Sequence, residues 1–140
     1  MAAEDCVFCK IVAGDIPCFT LYEDEHTLAF MDINPASRGH ALVIPKAHSP
    51  NLFEAPGGDL ASMMATARKV GRAIQSTLNP DGLNLVQANG PGAAQSVFHL
   101  HVHVLPRYMG DNLKLNWGIS PGEMDEIKAI SEQIAGNIEA

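Results

Sequence analysis

The segment Phe98-His99-Leu100-His101-Val102-His103-Val104-Leu105-Pro106 alternates imidazole with Leu or Val. A period of two marks a half-buried strand, so the pattern predicts Leu100, Val102 and Val104 on a core face. It places His99, His101 and His103 together on the other face, with neighbours about 6.6–7 Å apart. Imidazole is the side chain whose ordinary pKa lies nearest physiological pH, and it serves as nucleophile, acid, base or metal ligand. A single strand histidine is most often a plain surface or core residue; three at alternate positions on one rigid element make a reactive row. Two strand histidines two residues apart can also ligate zinc, as in zinc hydrolases. Against a purely metallic row, no Asp or Glu follows within the next seven residues to complete such a site locally.

Directly upstream, Asn89-Gly90-Pro91-Gly92-Ala93-Ala94-Gln95-Ser96 is rich in small residues. Such turns let a ligand approach the backbone and turn N–H groups toward anions, and Gln95 and Ser96 add side-chain donors beside the histidines. Taken with the row, the segment points to a phosphate held against an imidazole. No Gly-Lys-Ser/Thr pattern is present, so this is not the phosphate loop of a P-loop NTPase. Cys6 and Cys9 have zinc-ligand spacing, but one Cys-x-x-Cys supplies half a site and equally suits two small buried residues. Cys18 has no partner in the pattern. His26, in a turn, and His40, at a strand start, read as structural or surface residues.

The elements that must position these groups are legible from period and punctuation. Leu60, Met63, Met64, Ala67, Val70, Gly71, Ile74 and Leu78 fall on one helical face. Asp59 is the expected N-cap, and Asn79-Pro80-Asp81-Gly82 the expected stop. A second helix is expected from Ser120-Pro121-Gly122-Glu123, with Ser120 as cap and Glu123 closing a capping box. Its stripe is Met124, Ile127, Ile130, Ile134 and Ile138. Strands are expected at 19–23, 27–32, 40–44, 83–88 and 97–105. Three strands, a helix, two strands and a helix predict an α+β fold with a mainly antiparallel sheet.

The chain has 140 residues and no linker or repeat, so it reads as one domain over residues 1–140. Hydrophobic residues make up 46% and charged residues 18%, which excludes a disordered chain. With 9 Lys+Arg against 16 Asp+Glu, the net charge is -7, and Arg68, Lys69 and Arg72 form the densest basic spacing. That excludes a nucleic-acid binder while admitting a small anionic ligand in a local pocket. Three cysteines crowded near the start are a poor disulfide framework, the start has no signal-like pattern, and no apolar run is long enough to span a membrane. A cytoplasmic location and no membrane partner are the resulting expectations.

The order of motifs resembles the histidine-triad (HIT) superfamily, in a Hint-like, bacterial-type branch with an N-terminal Cys-x-x-Cys. His99-Leu100-His101-Val102-His103-Val104-Leu105 matches the His-φ-His-φ-His-φ-φ motif, φ being apolar. Cys6-Val7-Phe8-Cys9-Lys10-Ile11, Ala29-Phe30-Met31-Asp32-Ile33, Gly39 through His48, Gln95-Ser96-Val97-Phe98 and Pro106-Arg107 add to the match. The resemblance implies a five-stranded antiparallel sheet with two helices, and a homodimer whose sheets join. It implies hydrolysis or transfer at the α-phosphate of a purine nucleoside phosphoramidate or related nucleotide conjugate. His101 would be the nucleophile that forms a nucleotidyl-imidazole, and His103 would contact phosphate oxygens. Gln95 and Ser96 would bind phosphate and leaving group, Asp32 the ribose hydroxyls and Ile33 the base, with Asn89 on the phosphate or ribose side. Relatives with the cysteine pair bind structural zinc, here through Cys6, Cys9, His48 and His99. Two departures stand out: Ala94 where many relatives have Gly, and Ala88 where many have Asn or Gln. The alternatives are a diadenosine-polyphosphate hydrolase, allowed by Leu105-Pro106-Arg107, and a nucleotide-binding regulatory module with weak catalysis.

Overall fold

The computed structural model of the protein describes residues 3–115 and 117–139. The chain runs α1 (Val7–Val12), β1 (Thr20–Glu23), β2 (Thr27–Met31), β3 (Ala41–Pro45), α2 (Gly57–Leu78), β4 (Gly82–Val86), β5 (Val102–Arg107) and α3 (Met124–Gly136). The strands form one antiparallel sheet in the order β1-β2-β3-β5-β4. The expected α+β class and five-stranded antiparallel sheet are therefore present.

The sheet is covered on both faces, and alternation decides which residue goes where. Ala29, Ala41, Val43, Val102 and Val104 point to one side, where Met63, Ala67, Val70 and Ile74 of α2 close a core that also takes Leu100. Leu28, Phe30, Leu42 and Ile44 point to the other side, under Cys6, Phe8 and Cys9 of the α1 region. His103 pairs with Leu42 in the β3–β5 register and so lies on the α1 side. Gly39 fixes the entry to β3: its φ is +92°, and a Cβ there would stand 2.4 Å from Leu78 Cδ1.

Several expectations need correction. α1 was not foreseen, because six residues are too few to show a helical period; it is secured by Cys6, whose Sγ accepts a hydrogen bond from Cys9 N at 3.3 Å. α2 starts at Gly57 behind Pro56, which leaves Asp59 inside the first turn rather than at the cap. Asn79 does end it, in the left-handed region at φ 46°. α3 starts at Met124, and Glu123, not Ser120, is its cap, accepting from the N–H groups of Asp125 and Glu126.

The largest correction concerns the histidine row. β5 begins at Val102, so only His103 lies in a paired strand; His99 and His101 precede it. Extending the register would set Leu100 against Pro45, which has no N–H to continue the ladder. Leu100 N instead donates to Ser49 O at 2.7 Å, and the Pro45 carbonyl accepts from His99 Nε2 at 2.8 Å. Nor is the row a solvated outer face. His99 is 0% exposed and His101 4%.

The connection between β4 and β5 includes a 3-10 turn at Pro91–Ala93 that closes on Ala94 at φ 62°. A non-glycine residue there bears about 1–2 kcal/mol of strain, and glycine loses about 0.4–1 kcal/mol more on folding. Ala94→Gly is therefore expected to stabilise the fold by roughly 0.5–1 kcal/mol, read as a higher urea midpoint with unchanged slope.

Candidate active site and metal centre

α1 brings Cys6 and Cys9 to one side, the turn after β3 supplies His48, and the approach to β5 supplies His99. Cys6 Sγ lies 3.3 Å from His99 Nδ1, and Cys9 Sγ lies 3.4 Å from His48 Nδ1 and 3.6 Å from His99 Nδ1. The two Nδ1 atoms are 3.2 Å apart. His99 Nε2 faces a carbonyl, which can only accept, so its proton is on Nε2 and its Nδ1 lone pair faces the sulfurs. Four donor atoms of types S, S, N and N thus converge. Bonds of about 2.3 Å to sulfur and 2.0–2.1 Å to nitrogen in a tetrahedron imply S···N edges near 3.5 Å and N···N edges near 3.3 Å, so the set fits zinc. Burial pushes the Cys6 thiol pKa up and the His99 pKa down. Both shifts oppose charge at the site, and a bound cation would offset the cost of thiolates there. Four protein ligands would leave no position for a reactive water, which marks a structural centre.

In the second cluster, of His101, His103, His40 and Asp32, hydrogen-bond directions assign the protons. His101 Nδ1 stands 2.8 Å from the His99 carbonyl, so Nδ1 carries the proton and Nε2 keeps a free lone pair. Ala36 N can only donate, and it reaches His40 Nδ1 at 2.9 Å. His40 therefore presents N–H at Nε2, which lies 2.9 Å from His103 Nδ1 and 3.4 Å from Asp32 Oδ2. His103 Nδ1 accepts, so His103 carries its own proton on Nε2. The result is a pair with opposite functions: His101 offers a lone pair, His103 an N–H. Their ring centroids are 5.0 Å apart, and Phe8 stands edge-on to His101 at 5.3 Å.

Burial holds both rings neutral. It pushes the His101 pKa down, and burial, together with the neighbouring His101 and His40 rings, holds His103 at about 4. His40 is also lowered, by burial, against the opposing pull of Asp32. For His103 the unfolded chain binds its proton near pH 6.5, so between about 6.5 and about 4 it holds more protons than the native state, and the lowered His101 and His40 act in the same direction. Stability is thus expected to rise with pH across that window, complete above 6.5 and lost progressively toward 4. Urea midpoints from pH 4.5 to 7.5 check this, and His103→Gln should flatten the slope.

A cleft of about 590 Å³ opens onto these rings. Its walls are Phe8, Ile11, Ile16, Pro17, Cys18 and Ile33, and its polar rim is Asp32, Ser96, His101 and His103. Ile33 is 76% exposed and forms an open flank. Among the described residues, no Lys or Arg lines it. The structure therefore brings Asp32, Ile33, Ser96, His101 and His103 to one cleft. Gln95 and Asn89 are not in its wall. The Gln95 amide is engaged in the loop: Oε1 accepts from Gly90 N, and Nε2 donates to Pro50 and Val97 carbonyls. Asn89 Oδ1 accepts from Leu52 N and Gln87 Nε2, tying two loops together. Ala88, one of the two departures, adds only a carbonyl to this arrangement, as an acceptor for Gln87.

His40 is the residue in contact with the triad that the sequence reading passed over. Its signal was present: alternation in 40–44 places it on the face of Leu42 and Ile44, which is the His103 face once β3 pairs with β5. Its Nε2–H faces His103 Nδ1 at 2.9 Å and sets that ring's tautomer, so His40→Ala is expected to lower kcat roughly 10–100-fold with a smaller change in KM. ¹⁵N shifts of the His103 ring should report a changed tautomer; an unchanged ring with normal kcat contradicts the assignment.

A HIT-domain model matches residues 13–110. The chain is 42% identical over 134 residues to the adenosine 5'-monophosphoramidase hnt1 of Schizosaccharomyces pombe, covering 95% of this chain and 98% of that one. It superposes on the crystal structure of a member of the HIT family from Bacillus subtilis with a TM-score of 0.91 at 42% identity, over 98% of this chain and 99% of that one. A zinc-bound histidine triad family protein from Mycobacterium smegmatis is similar at TM-score 0.75 and 39% identity, over 95% and 98% of the two chains. Among the described residues, no helix is long and apolar enough to cross a membrane. The ordered motifs, the five-stranded sheet and the paired histidines agree with these matches: the chain belongs to the HIT-domain family.

Proposed function

We propose that the protein hydrolyses, or transfers, the nucleoside monophosphate of a purine nucleoside phosphoramidate. The observation that carries this reading is the opposed pair at the cleft floor, a free His101 Nε2 beside a His103 N–H. The apolar walls take a base and the Asp32 carboxylate takes ribose hydroxyls. His101 Nε2 attacks the α-phosphorus, the P–N bond to the leaving group breaks, and the amine departs with a proton from solvent. As Nε2 bonds to phosphorus, the ring gains positive charge at Nδ1–H, which the His99 carbonyl accepts. His103 N–H donates to a phosphoryl oxygen, and Ser96 stands at the rim to meet the leaving group. Water then attacks phosphorus and gives up a proton to solvent, the Nε2–P bond breaks, and the lone pair returns to His101. With transfer, another nucleophile replaces water.

Zinc held by Cys6, Cys9, His48 and His99 would supply no chemistry to the phosphate; it would pin α1 against His99, whose carbonyl orients His101. We further propose a cytoplasmic location, and a homodimer whose sheets join, as the resemblance to the family implies.

A dinucleoside polyphosphate is disfavoured by the cleft itself. Such a chain brings several negative charges, and among the described residues no cationic side chain lines the wall. Arg107, the sequence feature that admitted this alternative, is engaged with Asp111, Asn84 and the Leu113 carbonyl. Comparing kcat/KM for adenosine phosphoramidate and for diadenosine polyphosphates tests the choice. A preference for the phosphoramidate is expected; a strong preference for the dinucleotide overturns it.

A further inference from the structure

The α2 side of the sheet holds a second cavity, of about 500 Å³, between α2 and the strands β1 and β2. Sites for small molecules hold about 300–1,000 Å³ and combine apolar walls with a few placed polar groups. Here the walls are Leu21, Met31, Val70, Ala73, Ile74 and Leu78, and the charged side chains beside them are Arg38 and Lys69. Among the described residues, no Asp or Glu lines this cavity, and only Met31 lines both it and the histidine cleft. We propose that the cavity binds an amphipathic carboxylate, a single acyl chain with its carboxylate on Arg38.

Two local features make the room. The β1–β2 register shifts between Thr20 and Tyr22, so Leu21 is the extra residue of a β-bulge. Strict alternation would send Leu21 to the face opposite Tyr22; with the bulge, both line the cavity on the α2 side. On α2, Ala73 and Thr77 follow Lys69 at four-residue steps, which puts small side chains along that flank of the helix. The buried Val70 and Ile74, with Leu78, form the floor.

Charge selects the occupant. In a chain of net charge -7, much of the surface repels an anion. Arg38 forms no ion pair among the described residues, and a guanidinium fork matches a carboxylate. Lys69 is already engaged: its Nζ donates to Tyr22 Oη at 2.9 Å and lies 4.7 Å from the centre of that ring, while Tyr22 Oη donates to Asp24. The methylene stem of Lys69 then adds apolar wall. Lys69 and Leu78 stand about 13 Å apart along the helix axis. Gly39 packs against Leu78, which sets Arg38 at that end. An acyl chain anchored on Arg38 therefore runs over the floor toward Tyr22 and Lys69. An extended peptide fits less well: it would add to β1, the outer strand of the sheet, and the bulge at Leu21 interrupts that edge.

Titration calorimetry of the full chain with decanoate, below its micelle concentration, tests this. One equivalent is expected to bind, and decanol, which lacks the charge, should bind at least ~10-fold more weakly. Arg38→Glu should weaken decanoate binding by a similar factor; Tyr108 Oη donates to the Arg38 carbonyl, which that change leaves in place. Ala73→Trp should fill the trough and remove binding, and because position 73 is exposed the variant should keep its thermal midpoint. Both variants should retain wild-type affinity for adenosine monophosphate, since neither residue lines the histidine cleft. No binding of decanoate by the wild type overturns the proposal. So does binding that either variant leaves unchanged, or that adenosine monophosphate displaces. A leucine-rich peptide with a free C-terminal carboxylate that displaces decanoate at lower concentration also overturns it, because the face then belongs to a protein partner.

Discussion

His101→Ala is expected to abolish turnover of adenosine phosphoramidate, by roughly 10⁴-fold or more in kcat, while nucleotide affinity changes only a few-fold. The asymmetry follows from the cleft. In the proposed binding mode, base and ribose lie against the apolar walls and Asp32 of the cleft, which do not involve the His101 lone pair. His103 keeps its N–H because His40, not His101, sets its tautomer. The truncation therefore removes the attacking atom and leaves the binding surface. His101→Asn should behave alike, since an amide supplies no competent lone pair in that position. Titration of a nucleoside monophosphate against both variants, alongside single-turnover kinetics, separates binding from chemistry. A variant that turns over at even a tenth of the wild-type rate would place the nucleophile elsewhere.

Cys6→Ser carries the second large effect. The wild type is expected to hold about one equivalent of zinc by elemental analysis, and the variant to lose it. Structural zinc contributes about 10–16 kcal/mol in zinc-finger peptides, where it is nearly the whole core. Here α1 also packs through Phe8 against Phe30, so a smaller share rests on the metal. A loss of roughly 3–5 kcal/mol is expected, which lowers Tm by about 6–20 °C in a domain of this size. The change should reach the active site as well, because the His99 carbonyl holds the His101 proton at 2.8 Å. A metal-free wild type with unchanged stability in Cys6→Ser would reduce the cysteines to ordinary packing residues.

The sequence showed the chemistry more clearly than its supports. Period-two alternation correctly put Val102 and Val104 in the core opposite His103, since side-chain direction in a strand is a local property. It overextended the strand because whether a ladder continues depends on the partner, and the partner at Leu100 is Pro45. The motif order led to Cys6, Cys9, His48 and His99, yet spacing alone could not bring residues so far apart in sequence to within 3.2–3.6 Å. Only the order β1-β2-β3-β5-β4 does that, by laying the ends of β3 and the approach to β5 side by side. His40 was overlooked for the same reason: its importance arises across the β3–β5 pair. Gln95 shows the reverse: the sequence marks it as a polar residue beside the histidines, and only the fold reveals that its amide ties Gly90, Pro50 and Val97 together. The helix caps were misplaced by a few residues because Ser120 and Asp59 have the right chemistry, while Glu123 and Pro56 have the right geometry.

The central claim is a covalent bond between phosphorus and one named nitrogen. Acid quenching during turnover of adenosine phosphoramidate, followed by mass analysis of proteolytic fragments, tests it directly. The expected result is a nucleoside-monophosphate adduct on His101, transient in the wild type and absent from His101→Ala. An adduct on His99, His103 or any other residue, or rapid turnover with no adduct at all, would contradict the account.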